Sequence, residues 1–262
     1  MIAKIRIGFA ILALLIASAF LIPFQLTLLW LKHPWRNHVP RTWHKVALWA
    51  LGLRVTVHSA LESRRPLLIV ANHSSWLDIL VLASVADVTF VAKAEVRDWP
   101  VFGNLARLQR SIFVAREQKR KTQDQANEIA ERMNAGEVAV LFPEGTTSDG
   151  NRLLLTKSSL FGAATSAVAQ SPAGHVYVQP VAIGYTKIHG MPMGHYHRPI
   201  AAWPGDVEML PHLMGVLETG ALDAEINFGT AIEVTAATNR KVLAQTAEDE
   251  IRSLLEELLH RR

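Results

Sequence analysis

The chain opens on a long apolar run and then alternates between short apolar stretches and amphipathic ones. Ile7 to Leu31 carries no charge, and Lys4 and Arg6 stand just before it. As a helix this run reaches about 37 Å, enough to cross a hydrocarbon layer about 30 Å thick. A cleaved secretory signal would end near Ala17-Ser18-Ala19, yet the apolar run continues well beyond that point. Pro23, with Gln25 and Thr27, marks a place for a kink or for a re-entrant hairpin held in one leaflet. Trp30, Trp35 and Trp43 then interleave with Lys32, Arg36, Arg41 and Lys45, the composition of a membrane–water interface. The positive bias places the following domain in the cytoplasm. Residues 1–45 therefore read as a membrane-anchoring segment in the cytoplasmic (inner) membrane, as a single span or a hairpin, and 46–262 as one α/β domain.

Within that domain the apolar runs predict strands at Arg54–His58, Pro66–Ala71, Val88–Ala92, Ile112–Val114, Val138–Phe142, Val176–Tyr185 and, last, Glu225–Phe228. Pro180 inside the sixth of these predicts an edge or bulged position. Helices are predicted from Ile79 onward, over Thr122–Asn134 with Gly136 as its stop, and over Lys241–Leu259. In the last of these Leu243, Ala247, Ile251, Leu254 and Leu258 recur at the helical period. Strands alternating with helices predict an α/β fold, a mostly parallel central sheet with helices on both faces.

Composition narrows the partners. Lys and Arg number 27 against 23 Asp and Glu in 262 residues, a modest excess that suits an anionic membrane surface or an acidic carrier. There is no basic-aromatic strip and no zinc-finger spacing, so no nucleic-acid partner is expected. The absence of cysteine excludes thiol nucleophiles, disulfides and cysteine-ligated metal. His189, His195 and His197 share a Gly/Pro/Met loop without a carboxylate at ligand spacing, so no metal is expected there.

Polar residues interrupt the pattern where two of the buried runs end. After Pro66–Ala71 come Asn72-His73-Ser74-Ser75-Trp76-Leu77-Asp78, which puts His73 in a strand-to-helix loop with Asp78 in the first helical turn. Ligand crevices of open α/β sheets lie beyond such strand ends. A histidine there, with its tautomer fixed by a carboxylate, suits general-base chemistry. Ser75-x-x-Asp78 fits a helix capping box equally well, and a carboxylate has enough acceptor sites for both roles. Phe142-Pro143-Glu144-Gly145-Thr146-Thr147 follows the Val138 run in the same way; alone it reads as an ordinary Pro/Gly turn, but it can face the same crevice.

Taken in order, these stretches resemble the glycerolipid acyltransferase family, the 1-acylglycerol-3-phosphate acyltransferases. The family's N-H-x4-D matches Asn72-His73 through Asp78. Its second block is similar to Lys93–Gly103 followed by Ile112–Arg116, its F-P-E-G-T-R to Phe142–Thr146, and its proline-bearing strand to Val178–Ala182. The resemblance implies catalytic roles for His73 and Asp78, and substrate-binding positions at Lys93, Arg116, Glu144, Gly145, Thr146, Thr147 and Pro180. It departs where the family's phosphate-binding arginine is Thr147, which supplies no charge. The stretch Glu144–Asn151, with Trp203–Asp206 and Leu210-Pro211-His212, looks like the branch that acylates lyso-ornithine lipid, an aminolipid without phosphate. Lys93, Arg116 and Lys157 leave a phosphate acceptor, or use of both acceptors, open.

The mechanism this implies is direct transfer. His73 removes the proton of an acceptor hydroxyl as that oxygen attacks an acyl thioester, and Asp78 orients the imidazole. No G-x-S-x-G elbow occurs, so no acyl-enzyme is expected. Glu144 is expected to hold the acceptor headgroup or backbone, and amides near Gly145 to face the oxyanion. The partners implied are membrane lipids, with a lysolipid as acceptor, and acyl carrier protein or coenzyme A as donor; no cofactor is expected. Arg116, Lys119, Arg120 and Lys121 form either a dock for an acidic carrier or a solvated helix start. A membrane-bound hydrolase and a non-catalytic lipid-binding protein are the rival classes.

Overall fold

The computed structural model of the chain describes residues 2–114, 122–205 and 207–260. Its strands are β1 (Leu53–His58), β2 (Leu67–Ala71), β3 (Val88–Lys93), β4 (Ile112–Val114), β5 (Val138–Leu141), β6 (His175–Ile188), β7 (Met191–Pro192), β8 (Leu222–Phe228) and β9 (Ile232–Thr235). Its helices are α1 (Ile2–Trp30), α2 (His38–Leu51), α3 (Leu77–Val85), α4 (Phe102–Leu108), α5 (Thr122–Asn134), α6 (Gly162–Gln170), α7 (Met209–Thr219) and α8 (Arg240–His260). Among the described residues the strands form one sheet in the order β1-β8-β6-β2-β5-β3-β4, with β7 and β9 pairing the two ends of β6. β6, β2, β5, β3 and β4 run parallel, as do β1 and β8 with each other, and the two groups meet antiparallel at β6 and β8.

β2 is buried along its whole length, which is why its sequence is a continuous apolar run with no alternation. Leu67, Ile69 and Ala71 face a core shared with α1, α2, α3 and α7. Leu68 and Val70 face a second core built with α5, α6 and α8. The sheet is therefore covered on both sides, and the carboxyl ends of β2 and β5 open side by side.

Two expectations about the sheet are corrected. Pro180 lies on neither an edge nor a bulge: β6 is an interior strand, and Pro180 is in register with Val70. Its missing N–H falls where the neighbour changes from β9, which starts at Ile232, to β8, which ends at Phe228. There Gly229 donates to Pro180 O at 2.8 Å, so the proline's carbonyl stays paired across the change of neighbour. The register of β6 shifts instead between Tyr185 and Lys187. Glu225–Phe228 is not the last strand, since the short β9 follows it.

Pro23 does not turn the apolar segment back, because α1 runs through it as one helix. The reversal comes at 31–37, and α2 returns along α1, with Trp43 Nε1 donating to Ser18 Oγ at 3.0 Å and Phe9 edge-on to Trp49 at 5.4 Å. α2 is continuous across residue 45, so the anchoring segment and the α/β domain share it. α1 is long and apolar enough to cross a membrane, and Phe9, Leu12, Leu15, Ile16 and Phe20 are exposed on it. It is nonetheless tied to the domain near both ends. The Arg6 guanidinium donates to Thr219 O (3.2 Å) and Leu217 O, capping the C-terminus of α7. Gln25 Nε2 donates at 2.8 Å to Leu108 O at the end of α4 and to Arg36 O.

Candidate active site

The loop between β2 and α3 carries His73, and three segments grip it. Asn72 extends the β2–β6 ladder with its side chain: Nδ2 donates to Ile183 O (2.9 Å) and Oδ1 accepts from Ile183 N (2.7 Å). From the loop after β5, Glu144 Oε1 accepts the His73 N–H at 2.6 Å, and Ser148 N donates to His73 O at 2.9 Å. From the loop before α7, Trp203 N donates to Ser74 O at 2.7 Å. The backbone of His73 is thus fixed on both sides before its side chain is considered.

Asp78 is fully buried (0% exposed) in the first turn of α3, where the helix dipole favours a carboxylate. Its Oδ2 accepts from Ser74 N (2.7 Å), Ser75 N (2.9 Å) and His73 Nδ1 (2.9 Å). Its Oδ1 accepts from Tyr185 OH at 2.7 Å. Capping and orienting are both present, on one oxygen. Because a carboxylate oxygen receives Nδ1, that nitrogen carries the hydrogen and Nε2 presents its lone pair. Nε2 has no hydrogen-bond partner among the described residues, and the side chain is 18% exposed. The ring stacks on Phe142 at 4.1 Å between centroids and 14° between planes. A base with a fixed tautomer and an open nitrogen is what proton removal from a substrate hydroxyl requires.

Glu144 reaches the same loop but in a different role from the one expected. It is 2% exposed, and its oxygens are taken by main-chain N–H groups, His73 on Oε1 and Leu154 on Oε2 at 2.8 Å. It buttresses the His73 loop, with no free oxygen left for a headgroup. Burial pushes its carboxyl up to about 8, against the pull of those two N–H groups and with a further push from the Asp78 charge. Gly145 N closes a turn on Phe142 O at 3.3 Å, and its φ of +75° is a conformation that suits glycine. Thr146 is exposed and Thr147 buried, both on this loop. Lys93, at the carboxyl end of β3, is half exposed and pairs with Glu95 at 3.4 Å. Pro180 is inside the sheet, below the loops, and does not join them. Arg116, Lys119, Arg120 and Lys121 lie outside the described residues.

Three contacts escaped the sequence. Tyr185 is buried 107 positions from the carboxylate it serves; burial and the Asp78 charge hold its hydroxyl well above the ordinary value, so it stays a donor. Phe142 supplies the ring under His73. Trp76 Nε1 donates to His212 Nδ1 at 3.0 Å while His212 Nε2 donates to Ala202 O at 2.8 Å, which fixes a neutral His212 and joins α7 to the His73 loop. Burial lowers the pKa of His212 and favours that neutral form.

A family model described as Acyltransferase matches residues 53–184, the span that contains both strand-end loops. The chain belongs to the acyltransferase family. This acyltransferase is 57% identical, over all of its length and 90% of the relative's, to lyso-ornithine lipid O-acyltransferase of Rhizobium meliloti (strain 1021). It is 51% identical to the protein of that name from Brucella abortus (strain 2308), over 99% of this chain and 97% of the relative. The crystal structure of a 1-acyl-sn-glycerophosphate (LPA) acyltransferase from Thermotoga maritima shares its fold, with a TM-score of 0.69 over 99% of each chain and 23% identity. In this acyltransferase the resemblance read from the motifs and the observed α/β architecture therefore agree.

Proposed function

We propose that the protein transfers a fatty acyl group from a thioester, acyl carrier protein or coenzyme A, to the hydroxyl of lyso-ornithine lipid. The observation that carries the chemistry is the Asp78–His73 pair at 2.9 Å with Nε2 left open. The acceptor oxygen attacks the thioester carbonyl carbon as Nε2 takes the hydroxyl proton. The imidazolium, stabilised by Asp78, then passes that proton to the leaving sulfur as the carbon–sulfur bond breaks. The amides of Thr146 and Thr147, beside the turn at Gly145, are assigned to the developing oxyanion. The acceptor is supported by the two relatives named for it and by Thr147, a residue that brings no charge to a phosphate.

The hairpin reading of the membrane segment is supported by the two ties of α1. Residues 6 and 25 are about 28 Å apart along a helix, close to the roughly 30 Å of a hydrocarbon core, yet both bind one domain. A helix held that way lies along the domain and enters one leaflet, here assigned to the cytoplasmic face of the inner membrane. The test is direct: purified protein in vesicles receives labelled acyl thioester with lyso-ornithine lipid or lysophosphatidic acid. Faster acylation of lyso-ornithine lipid is expected; equal or faster use of the phosphate acceptor contradicts the assignment.

A further inference from the structure

A buried guanidinium lies in the segment that binds the loop of His73. Arg198 is 7% exposed, in the short turn Arg198–Ile200 that leads to Trp203, whose N–H binds Ser74 O. Its NH1 donates to Asn151 Oδ1 at 2.5 Å and its NH2 to Met193 O at 3.0 Å. Its Nε is buried and has no hydrogen-bond partner among the described residues. Among the described residues no carboxylate lies at ion-pair distance; Asp149 contributes only a field from farther off, and burial lowers the arginine's pKa. The stem is tightly set as well. Gly150 has φ +78°, and a β-carbon there would come within 3.5 Å of Arg198 Cγ and 3.3 Å of Ala202 Cβ.

A guanidinium has five N–H donors, and this one spends two on neutral acceptors. Burying a charge without a counter-charge is costly, and a bound anion offsets that cost. The cation's surroundings point toward the reaction. Residues 148–151 are continuous with the loop that holds His73 O through Ser148 N, and the Arg198 turn is continuous with the Trp203 contact to Ser74. An ornithine headgroup carries a carboxylate, the planar anion that a guanidinium fork matches.

We infer that Arg198 binds the carboxylate of the acceptor headgroup and so selects an amino-acid lipid. This rests on the lyso-ornithine lipid reading above. The test compares lyso-ornithine lipid with its carboxamide as acceptors, using the full-length protein and the variants Arg198→Gln and Arg198→Lys. Wild type is expected to prefer the carboxylate by about tenfold or more in kcat/KM, expressed in KM. Arg198→Gln loses that preference, and Arg198→Lys recovers part of it. A variant that loses activity on both acceptors equally, with the preference intact, makes Arg198 a loop staple and overturns the inference. If Arg198→Gln does not fold, the wild type decides, because equal use of the two acceptors also overturns it. A wild type that ignores lyso-ornithine lipid but acylates lysophosphatidic acid overturns the acceptor assignment, and this inference with it.

Discussion

Asp78→Asn isolates what the carboxylate does beyond holding the loop in place. Asp78 receives three donors on Oδ2 and one on Oδ1. An asparagine oxygen in the Oδ2 position keeps the Ser74, Ser75 and His73 bonds, while its NH2 faces Tyr185 OH, which can turn and accept. The loop is therefore expected to keep its shape. Each bond to a charged acceptor, worth about 1.5–3 kcal/mol, falls toward the 1 kcal/mol or so of a neutral one, so stability drops by a few kcal/mol in total. The larger effect falls on the reaction. As Nε2 takes the proton, the imidazolium forms 2.9 Å from a group that no longer carries charge. Comparable losses in base–carboxylate pairs amount to about 3–5 kcal/mol, or roughly 10²–10⁴-fold in kcat. The assay measures initial acyl transfer in mixed micelles across acceptor concentrations, with circular dichroism on the same sample. A folded variant with kcat within tenfold of wild type refutes the role given to Asp78, as does a change confined to KM. Asp78→Ala is the poorer probe, since it leaves buried donors without partners.

Three further outcomes follow from the same geometry. Tyr185→Phe deletes the hydroxyl that bonds Asp78 Oδ1 inside the core, and thermal or denaturant unfolding should show a loss of about 1.5–3 kcal/mol. Unchanged stability would mean the bond contributes nothing. Glu144 holds a proton in the folded chain between its ordinary 4.5 and about 8, where the unfolded chain has released it. The stability it contributes is complete below about pH 4.5 and is lost as pH rises through about 8, so Glu144→Gln should remove that decline from melting temperatures across the range. Parallel wild-type and variant curves would contradict this. Arg6→Ala frees the C-terminus of α7 from α1, and hydrogen exchange should quicken at residues 217–220 without loss of the sheet; unchanged exchange there would show that α1 is not held by this contact.

The sequence was legible where burial leaves a simple pattern. β2 and β5 are buried on both faces, so their runs of Leu, Ile, Val and Ala stood out, and the polar residues just beyond them fell in adjacent loops. His73 and Asp78 are five positions apart, a spacing short enough for a loop and one helical turn to determine their meeting. Long-range contacts carry no such mark. Tyr185 belongs to a correctly expected strand, but nothing in its surroundings names Asp78, and nothing around Arg198 in the sequence marks it as buried against Asn151 and Met193. Pro180 was misplaced because a missing donor normally signals an edge, whereas here the partner strand itself changes at that residue. α6 escaped because the stripe it buries, Ala163, Ala164, Ala167 and Val168, is mostly alanine and gives little contrast with its neighbours, and α7 because Pro211 and Gly215 interrupt its pattern. Glu144 was placed in the right loop and given the wrong task, since composition cannot tell a carboxylate that faces a ligand from one that holds two amides.

The central claim is that one imidazole activates the acceptor alcohol with no covalent enzyme intermediate. Its most direct test is single-turnover transfer by His73→Ala, which removes the ring but leaves the main-chain bonds to Glu144 and Ser148 in place. Product formation slower than wild type by about 10³-fold or more, with an unchanged circular dichroism spectrum and no acylated protein in either sample, is the predicted result. Transfer within tenfold of wild type, or a labelled acyl-protein formed before the lipid product, would contradict it.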